Sequence, residues 1–168
     1  NLFFQKDLSE TLSRIANKGR DGFYKGITAK LIVEEMNKVG GWITHEDLDN
    51  YISKYREPII GTYNDYDIIS MGPPSSGGIL IIHMLNMLDE LEANLKSPLD
   101  LSFNSSDYIH LLTEIERRAY ADRAEHLGDD DFWDVPKKML LSKSYAAERI
   151  KSINLNHSTN SNDIKHGI

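Results

Sequence analysis

The chain has 168 residues, a formal net charge of −7 and no cysteine. Its length is sufficient for a domain with a core of its own, and its acidic balance argues against a nucleic-acid partner. The absence of cysteine excludes disulfides, thiolate metal sites and a thiol nucleophile. No apolar run reaches the roughly 18 residues that a membrane-spanning helix needs. Because Asn1 is not an initiator methionine, we expect a processed or truncated piece of a longer protein.

Helical patterns dominate the first fifty residues. Leu8, Leu12 and Ile15 recur at helical spacing, and Asp7 with Glu10 is predicted to cap that helix. A second helix is predicted over residues 27–39, ended by a pair of glycines. Its side chains predicted to face inward are Leu31, Ile32, Met36 and Val39. A short third helix is predicted to follow a threonine cap at residue 44.

The pattern changes to that of β-strands after residue 57. Residues 58–63 and 66–71 contain β-branched pairs separated by the turn-like Asn64-Asp65, which predicts a β-hairpin. Because the isoleucines stand in adjacent pairs rather than alternating with polar residues, we expect both faces of the hairpin to be covered.

A turn rich in proline, serine and glycine joins the hairpin to a strongly apolar helix. The prolines of Pro73-Pro74-Ser75-Ser76-Gly77-Gly78 prevent the strand from continuing, and Ser75 or Ser76 is predicted to cap the helix. Residues 79–91 are apolar nearly all round, which predicts burial. Two glycines in the first turn weaken a helix. They indicate either close backbone packing or a loop that lines a site for an anionic or carbonyl group.

The second half of the chain is predicted to hold two more helices. A loop from Leu95 to Asn104 precedes a long helix that Ser105 or Ser106 caps and that reaches residue 127. A last helix is predicted over residues 142–153. Residues 154–168 are polar and without periodicity, so we interpret them as a flexible tail. Residues 1–153 contain no linker, and the fold class is therefore α+β, mostly helical with one β-hairpin.

Candidate metal sites lack the spacing that they require. Asp129, Asp130, Asp131 and Asp134 have neither the glycine nor the terminal glutamate of an EF-hand loop, which favours a solvated, helix-capping loop. The histidines form no His-x-x-x-His pair, so no metal site is predicted. They are His45, His83, His110, His126, His157 and His166.

Nucleophilic and anion-binding sites are weighed in the same way. Ser75 and Ser76 lack the Gly-x-Ser-x-Gly elbow, and His83 lies about two helical turns from them, too far to act as their base. Arg117, Arg118 and Arg123 alternate with acidic residues, which is typical of a paired helix face rather than a phosphate site. We therefore predict no catalytic residue, no cofactor site and no metal ligand in this chain.

Several stretches, taken together, resemble the γ-glutamyltranspeptidase family, specifically the C-terminal part of its large subunit. They follow the family's order over nearly the whole chain. They are Gln5–Leu8, Gly22–Gly26, Gly40–Thr44, Arg56–Ile59, Pro73–Gly78, Ala119–Arg123 and Gly128-Asp129 before Phe132. Gly72 stands where the family commonly has a first proline, and Asp130 replaces the family's usual proline, so both turns gain freedom in the unfolded state.

The resemblance implies an αββα sandwich of the N-terminal nucleophile hydrolases. It also implies a precursor that cleaves itself, after which an N-terminal threonine of the small subunit attacks γ-glutamyl amides such as glutathione. His157-Ser158-Thr159 does not match the Thr-Thr-His start of that subunit, so residues 154–168 are expected to precede the processing site. This chain alone is expected to be inactive. The small subunit is the implied partner, and the implied location is periplasmic or extracellular.

Two alternatives remain open from the sequence. The chain could belong to a non-catalytic structural or interaction module of the same fold. Within the enzyme class, a poly-γ-glutamate depolymerase is a near variant of a transferase or hydrolase, and no motif of this chain separates their substrates.

Overall fold

The computed structural model describes residues 3–94 and 99–168, and the chain forms two compact units, Asn1–Tyr55 and Arg56–Ile168. The predicted division at residue 153 stays a prediction. The first part of the predicted loop from Leu95 to Asn104, residues 95–98, lies outside the described residues. Within the described part of the chain, no helix combines the length and apolar character needed to cross a membrane.

The first unit is entirely helical in its regular structure. Its helices are α1 (Lys6–Lys18), α2 (Asp21–Tyr24), α3 (Gly26–Val39) and α4 (His45–Asn50). The predicted capping box at the start of α1 is wrong, because Gln5 is the cap residue and no side chain caps it. The predicted threonine cap of α4 is confirmed: Thr44 accepts from the Asp47 amide, and the Asp47 carboxylate accepts from the Thr44 amide.

Close backbone packing and polar contacts hold this unit together. A Cβ on Gly22 would lie 2.2 Å from the Arg14 carbonyl oxygen, so α1 and α2 approach each other only because residue 22 is glycine. Thr28 donates to the Gly22 carbonyl at 2.8 Å, and Arg14 Nε donates to Thr28 at 2.9 Å. Arg20 donates to backbone carbonyls at the C-terminal end of α4, among them that of Tyr51 at 2.8 Å.

The apolar face predicted for α3 is only partly covered. Leu31 and Val39 were expected to point inward, but 55% and 67% of their surfaces are exposed. Leu8 and Leu12 of α1 are also exposed. The prediction that these side chains face inward is therefore wrong for Leu31 and Val39, because the described residues do not cover them.

The second unit begins with the predicted hairpin. β1 (Ile59–Tyr63) and β2 (Tyr66–Ser70) pair antiparallel, which confirms the hairpin within a residue at its outer ends. The expectation that both faces are covered is wrong for this chain, because burial alternates along the strands. Ile59 is buried, whereas the directly paired Ile60 and Ile69 are 62% and 67% exposed.

A single buried helix organises the rest of the second unit. The helices are α5 (Gly77–Asn94), α6 (Ser106–His126), α7 (Lys137–Leu140) and α8 (Lys143–Ile150), followed by a short 3₁₀ helix, Ser161–Asp163. One side of α5 packs with α6 and α8 around Met87 and Ile115. The other packs with the hairpin and α7 around Ile79, Ile82 and Leu140. The predicted burial of residues 79–91 is confirmed, although Ile81 is 44% exposed.

The fold class is thus confirmed at the level of a mostly helical chain with one two-stranded antiparallel hairpin. Ser105 caps α6 by accepting from the Tyr108 amide at 3.1 Å, as predicted. Ser142 caps α8 in the same way, by accepting from the Tyr145 amide at 3.2 Å.

Candidate functional site

The serine-glycine turn is a compact strand-to-helix connection whose polar side chains are engaged. Ser75 Oγ accepts from the Gly77 amide at 3.3 Å, so Ser75 caps α5 as predicted. Ser76 Oγ instead accepts from Nε of Arg123 at 3.0 Å, which links the turn to α6. The Ser76 carbonyl accepts from the Leu80 amide at 3.0 Å.

The two glycines of this turn have different roles. A Cβ on Gly78 would lie 2.2 Å from the Met71 carbonyl oxygen, so the start of α5 packs directly on the backbone that leaves β2. A Cβ on Gly77 would meet only Ser75 Oγ, at 3.5 Å, an ordinary contact. Close backbone packing, one of the two explanations offered for this pair, therefore accounts for Gly78.

His83 belongs to a buried polar network and does not serve the serines. Its Nε2 donates to Asp122 Oδ2 at 3.0 Å, and both side chains are 1% exposed. The other ring nitrogen, Nδ1, is buried without a hydrogen-bond partner, so neither nitrogen engages Ser75 or Ser76. The His83 ring stacks on Tyr145, with centroids 5.3 Å apart.

Asp122 is the centre of this network. Besides His83, it receives Nε of Arg149 at 2.9 Å on Oδ2 and the Gly167 amide at 2.8 Å on Oδ1. Burial alone would raise the pKa of Asp122, but its hydrogen bonds from His83 and Gly167 and the charge of Arg149 together lower that pKa. The carboxylate is therefore charged at neutral pH. Burial and the adjacent Asp122 charge raise the pKa of Tyr145.

A second buried carboxylate lies two turns earlier on α6. Glu114 pairs with Arg118 at 2.8 Å, and both side chains are 1% exposed. It also accepts from the Thr159 amide at 2.9 Å and from the Thr159 hydroxyl at 2.6 Å. Burial opposes ionisation, but the hydrogen bonds from Thr159 and Arg118 outweigh it and lower the pKa of Glu114 to about 2.

These contacts place the polar segment 154–168 against the helices of the second unit. Further bonds hold its main chain, among them His110 to the Asn154 carbonyl at 2.8 Å, His126 to that of Gly167 at 2.9 Å, and Arg149 to that of Lys165 at 2.9 Å. The flexibility expected for this segment stays a prediction, and its lack of regular strands or long helices agrees with its sequence. The hydrogen bonds argue for a docked backbone.

The acidic loop after α6 is paired with arginine. Arg56 donates to Asp130 at 2.8 Å and to Asp131 at 2.9 Å, and Lys137 donates to Asp130 at 3.0 Å. One carboxylate oxygen from each of Asp129, Asp130 and Asp131 lies within 4.8 Å of the others. Because Arg56 and Lys137 pair with these carboxylates, the geometry of the cluster is accounted for by loop structure.

Sequence reasoning found the motifs but missed how they pair. Arg56 contacts the loop after Gly128, and Ser76 contacts Arg123, so stretches far apart in the chain meet in the fold. The burial of Glu114 and Asp122 was missed as well. The available signal was a histidine, His83, inside a helix that is otherwise apolar nearly all round. A buried histidine needs a partner.

Comparisons with known proteins agree with this arrangement. The family model described as "Gamma-glutamyltranspeptidase" matches residues 1–167. The chain is 43% identical over 163 residues to the glutathione hydrolase proenzyme of Escherichia coli, covering 97% of this chain and 27% of that protein. It is 41% identical over 145 residues to the acylase ACY 1 proenzyme of Pseudomonas sp. strain SE83, covering 86% of this chain and 25% of that protein.

A solved structure shows the same backbone. The γ-glutamyltranspeptidase of Helicobacter pylori superposes with a TM-score of 0.82 at 44% identity, covering 99% of this chain and 46% of that one. The chain belongs to the γ-glutamyltranspeptidase family, which confirms the resemblance found in its motifs. It spans about a quarter of the length of the curated relatives it matches.

Proposed function

We propose that this chain is the C-terminal part of the large subunit of a γ-glutamyltransferase or γ-glutamyl hydrolase. The observation that carries the proposal is the family match over residues 1–167, together with a TM-score of 0.82 to a γ-glutamyltranspeptidase. The described residues supply scaffold: a buried helix, a hairpin and a docked polar segment. The exposed pair Ile60 and Ile69 on one hairpin face supports the proposal that the small subunit completes an αββα sandwich there.

The chemistry in this proposal is covalent and needs no group from this chain. The Oγ of the small subunit's N-terminal threonine attacks the γ-glutamyl carbonyl, while the threonine's own α-amine takes the hydroxyl proton. The amide C–N bond breaks, the leaving amine receives the proton, and a γ-glutamyl ester remains. Water then hydrolyses the ester, or an amino acid or peptide accepts the γ-glutamyl group. The periplasmic or extracellular location implied by the family stays a prediction.

The test uses the full-length precursor that contains this chain. We expect it to cleave itself into two subunits and to release a chromogenic amine from a γ-glutamyl anilide, with glutathione as a second substrate. N-terminal sequencing of the small subunit should return threonine, and alanine in place of that threonine should abolish both cleavage and turnover. The isolated 168-residue chain should be inactive. An uncleaved, inactive wild-type precursor would instead support a non-catalytic module of the same fold.

A second candidate is amide hydrolysis of another acyl group. It is favoured by the 41% identity to an acylase proenzyme. The same mature enzyme should therefore be assayed with glutathione, with poly-γ-glutamate and with a simple N-acyl amide. The substrate with the highest kcat/KM decides between a γ-glutamyl hydrolase, a poly-γ-glutamate depolymerase and an acylase.

A further inference from the structure

Two buried carboxylates of α6 hold one stretch of main chain at both ends. Glu114 binds the amide and hydroxyl of Thr159, and Asp122 binds the amide of Gly167. Two further residues of α6, each about one turn beyond a carboxylate, bind the carbonyls of these same residues. Arg117 donates to the carbonyl of Thr159, and His126 donates to that of Gly167. Residues 159 and 167 are thus each held through both their N–H and their C=O.

The spacing of the anchors matches on the two sides. Glu114 and Asp122 are eight residues apart on a helix, which corresponds to about 12 Å. Thr159 and Gly167 are also eight residues apart, and a fully extended stretch of that length would span more than 25 Å. The short 3₁₀ helix Ser161–Asp163 lies between them and shortens the path. The segment therefore follows α6 at a fixed register.

The second anchor also depends on shape. A Cβ on Gly167 would lie 2.3 Å from the Tyr145 hydroxyl oxygen and 2.8 Å from Cδ of Arg149. Glycine at this position lets the backbone come close enough for its amide to reach Asp122. Both carboxylates would remain paired without the segment, Glu114 with Arg118 and Asp122 with His83 and Arg149. Their additional bonds to main-chain amides fix a backbone path rather than neutralise a charge.

We propose that Glu114 and Asp122 are positioning residues for self-cleavage of the precursor, acting through residues 159–167. This inference rests on the proposed function, in which the cleaved bond follows this segment in the longer protein. Holding residues 159 and 167 limits where the next residues of the chain can lie. The carboxylates do not touch the reacting atoms; they present the bond to them.

The experiment uses the full-length precursor and compares Thr159→Val with Thr159→Ser. Valine keeps the shape of threonine and the main-chain bonds but removes the hydroxyl that reaches Glu114 at 2.6 Å. We expect self-cleavage, followed as loss of precursor on denaturing gels, to slow by roughly tenfold, the effect of one hydrogen bond to a charged group. Serine keeps the hydroxyl and should cleave at close to the wild-type rate. Asp122→Asn and Gly167→Ala should slow cleavage at the second anchor.

Producing the two subunits separately distinguishes a role in positioning the cleaved bond from a role in general stability. When the two subunits are produced as separate chains, no cleavage is needed, and the Thr159→Val enzyme should have wild-type kcat and KM. Thr113→Val is the matched control, since this hydroxyl of α6 bonds only to the Ile109 carbonyl among the contacts described; it should leave cleavage unchanged. The positioning role is overturned if Thr159→Val and Asp122→Asn cleave at the wild-type rate. It is also overturned if Thr159→Val lowers the activity of the enzyme made from separate subunits as much as it slows cleavage. If the wild-type precursor neither cleaves itself nor turns over substrate, the proposed function itself fails.

Discussion

The two units of this chain differ in what covers their apolar side chains. In residues 56–168, α5 is enclosed by α6, α8, α7 and the hairpin, and Ile115 and Met87 are completely buried. In residues 1–55, the buried apolar side chains among those described are Ala29 and Leu48, whereas Leu31 and Trp42 are exposed. The second unit therefore contains its own core, while the first is held mainly by local backbone packing and polar contacts.

This difference can be measured unit by unit. The chain has two tryptophans, Trp42 in the first unit and Trp133 in the second. A Trp42→Phe variant reports the second unit by the fluorescence of Trp133. Trp42 is 93% exposed, so its fluorescence would change little on unfolding, and the first unit is instead followed by amide hydrogen exchange of its helices. In urea unfolding of the purified chain, we expect the signal of Trp133 to show a cooperative transition and the amides of α1 and α3 to lose protection from exchange at lower urea.

The largest expected effect comes from breaking the buried ion pair of the second unit. Arg118→Met leaves Glu114 buried without its main cationic partner, and we expect a loss of about 3–5 kcal/mol in the free energy of unfolding. The measurement is urea unfolding followed by Trp133. Lys25→Met is the matched control in the first unit, because Lys25 pairs with Asp49 at 3.0 Å and both side chains are more than half exposed. Lys25→Met should change the stability of the first unit little, as followed by hydrogen exchange, since solvent screens such pairs. A Lys25→Met loss as large as that of Arg118→Met would remove the contrast between the units.

Acid sensitivity should also distinguish the units. The pKa of Glu114 is lowered from 4.5 to about 2 in the folded chain. Its contribution is therefore fully present above pH 4.5 and is lost as the pH falls towards 2, by at most about 3 kcal/mol. Glu114→Gln should flatten the fall in stability over that pH range. The control is Asp47→Asn, since the Thr44 hydrogen bonds also lower the pKa of Asp47, which is exposed; we expect the slope reported by Trp133 to stay unchanged. A wild-type slope in Glu114→Gln would contradict the assignment.

The fold was largely predictable from local signals, and the site was not. The hairpin, the Thr44 and Ser105 caps and the buried helix after Ser75 followed from cap chemistry and periodicity, which depend on near neighbours in sequence. The link between Glu114 and Thr159 joins positions 45 residues apart, and no local pattern reports such a pairing.

Exposure was the other limit of sequence reasoning. Helical periodicity predicts that Leu31 faces inward, and the adjacent isoleucine pairs predict cover for Ile60, yet both are exposed. A pattern shows that a face needs cover, but it does not show whether the cover belongs to the same chain. The acidic loop illustrates the converse: its sequence lacks the spacing of an EF-hand, but only the fold shows that Arg56 pairs with Asp130 and Asp131.

Each unit contains a glycine packed against backbone whose replacement by alanine should cost about 1–3 kcal/mol, the range for overpacking. Gly22→Ala and Gly78→Ala each place a Cβ 2.2 Å from a carbonyl oxygen, of Arg14 and Met71 respectively. Backbone cannot move aside as a flexible side chain can, so both variants should lower stability, Gly78→Ala in the signal of Trp133 and Gly22→Ala in the hydrogen exchange of the first unit. Gly77→Ala is the control, with space for the methyl group and a helix position that favours alanine. A destabilised Gly77→Ala with an unaffected Gly78→Ala would show that the turn packs differently.

The smallest effect is expected at the exposed apolar face of α3. Leu31→Ala removes a side chain that is 55% exposed in this chain, so the stability reported by hydrogen exchange of the first unit should change by no more than about 0.5 kcal/mol. Leu111→Ala, at a position 1% exposed in the second unit, should cost about 2–5 kcal/mol by the signal of Trp133. In the full-length protein the comparison becomes sharper. If another part of that protein covers α3, Leu31→Ala should cost clearly more there than in the isolated chain, whereas the cost of Leu111→Ala should be similar in both. Equal costs for Leu31→Ala in the two settings would mean that this face stays open to solvent.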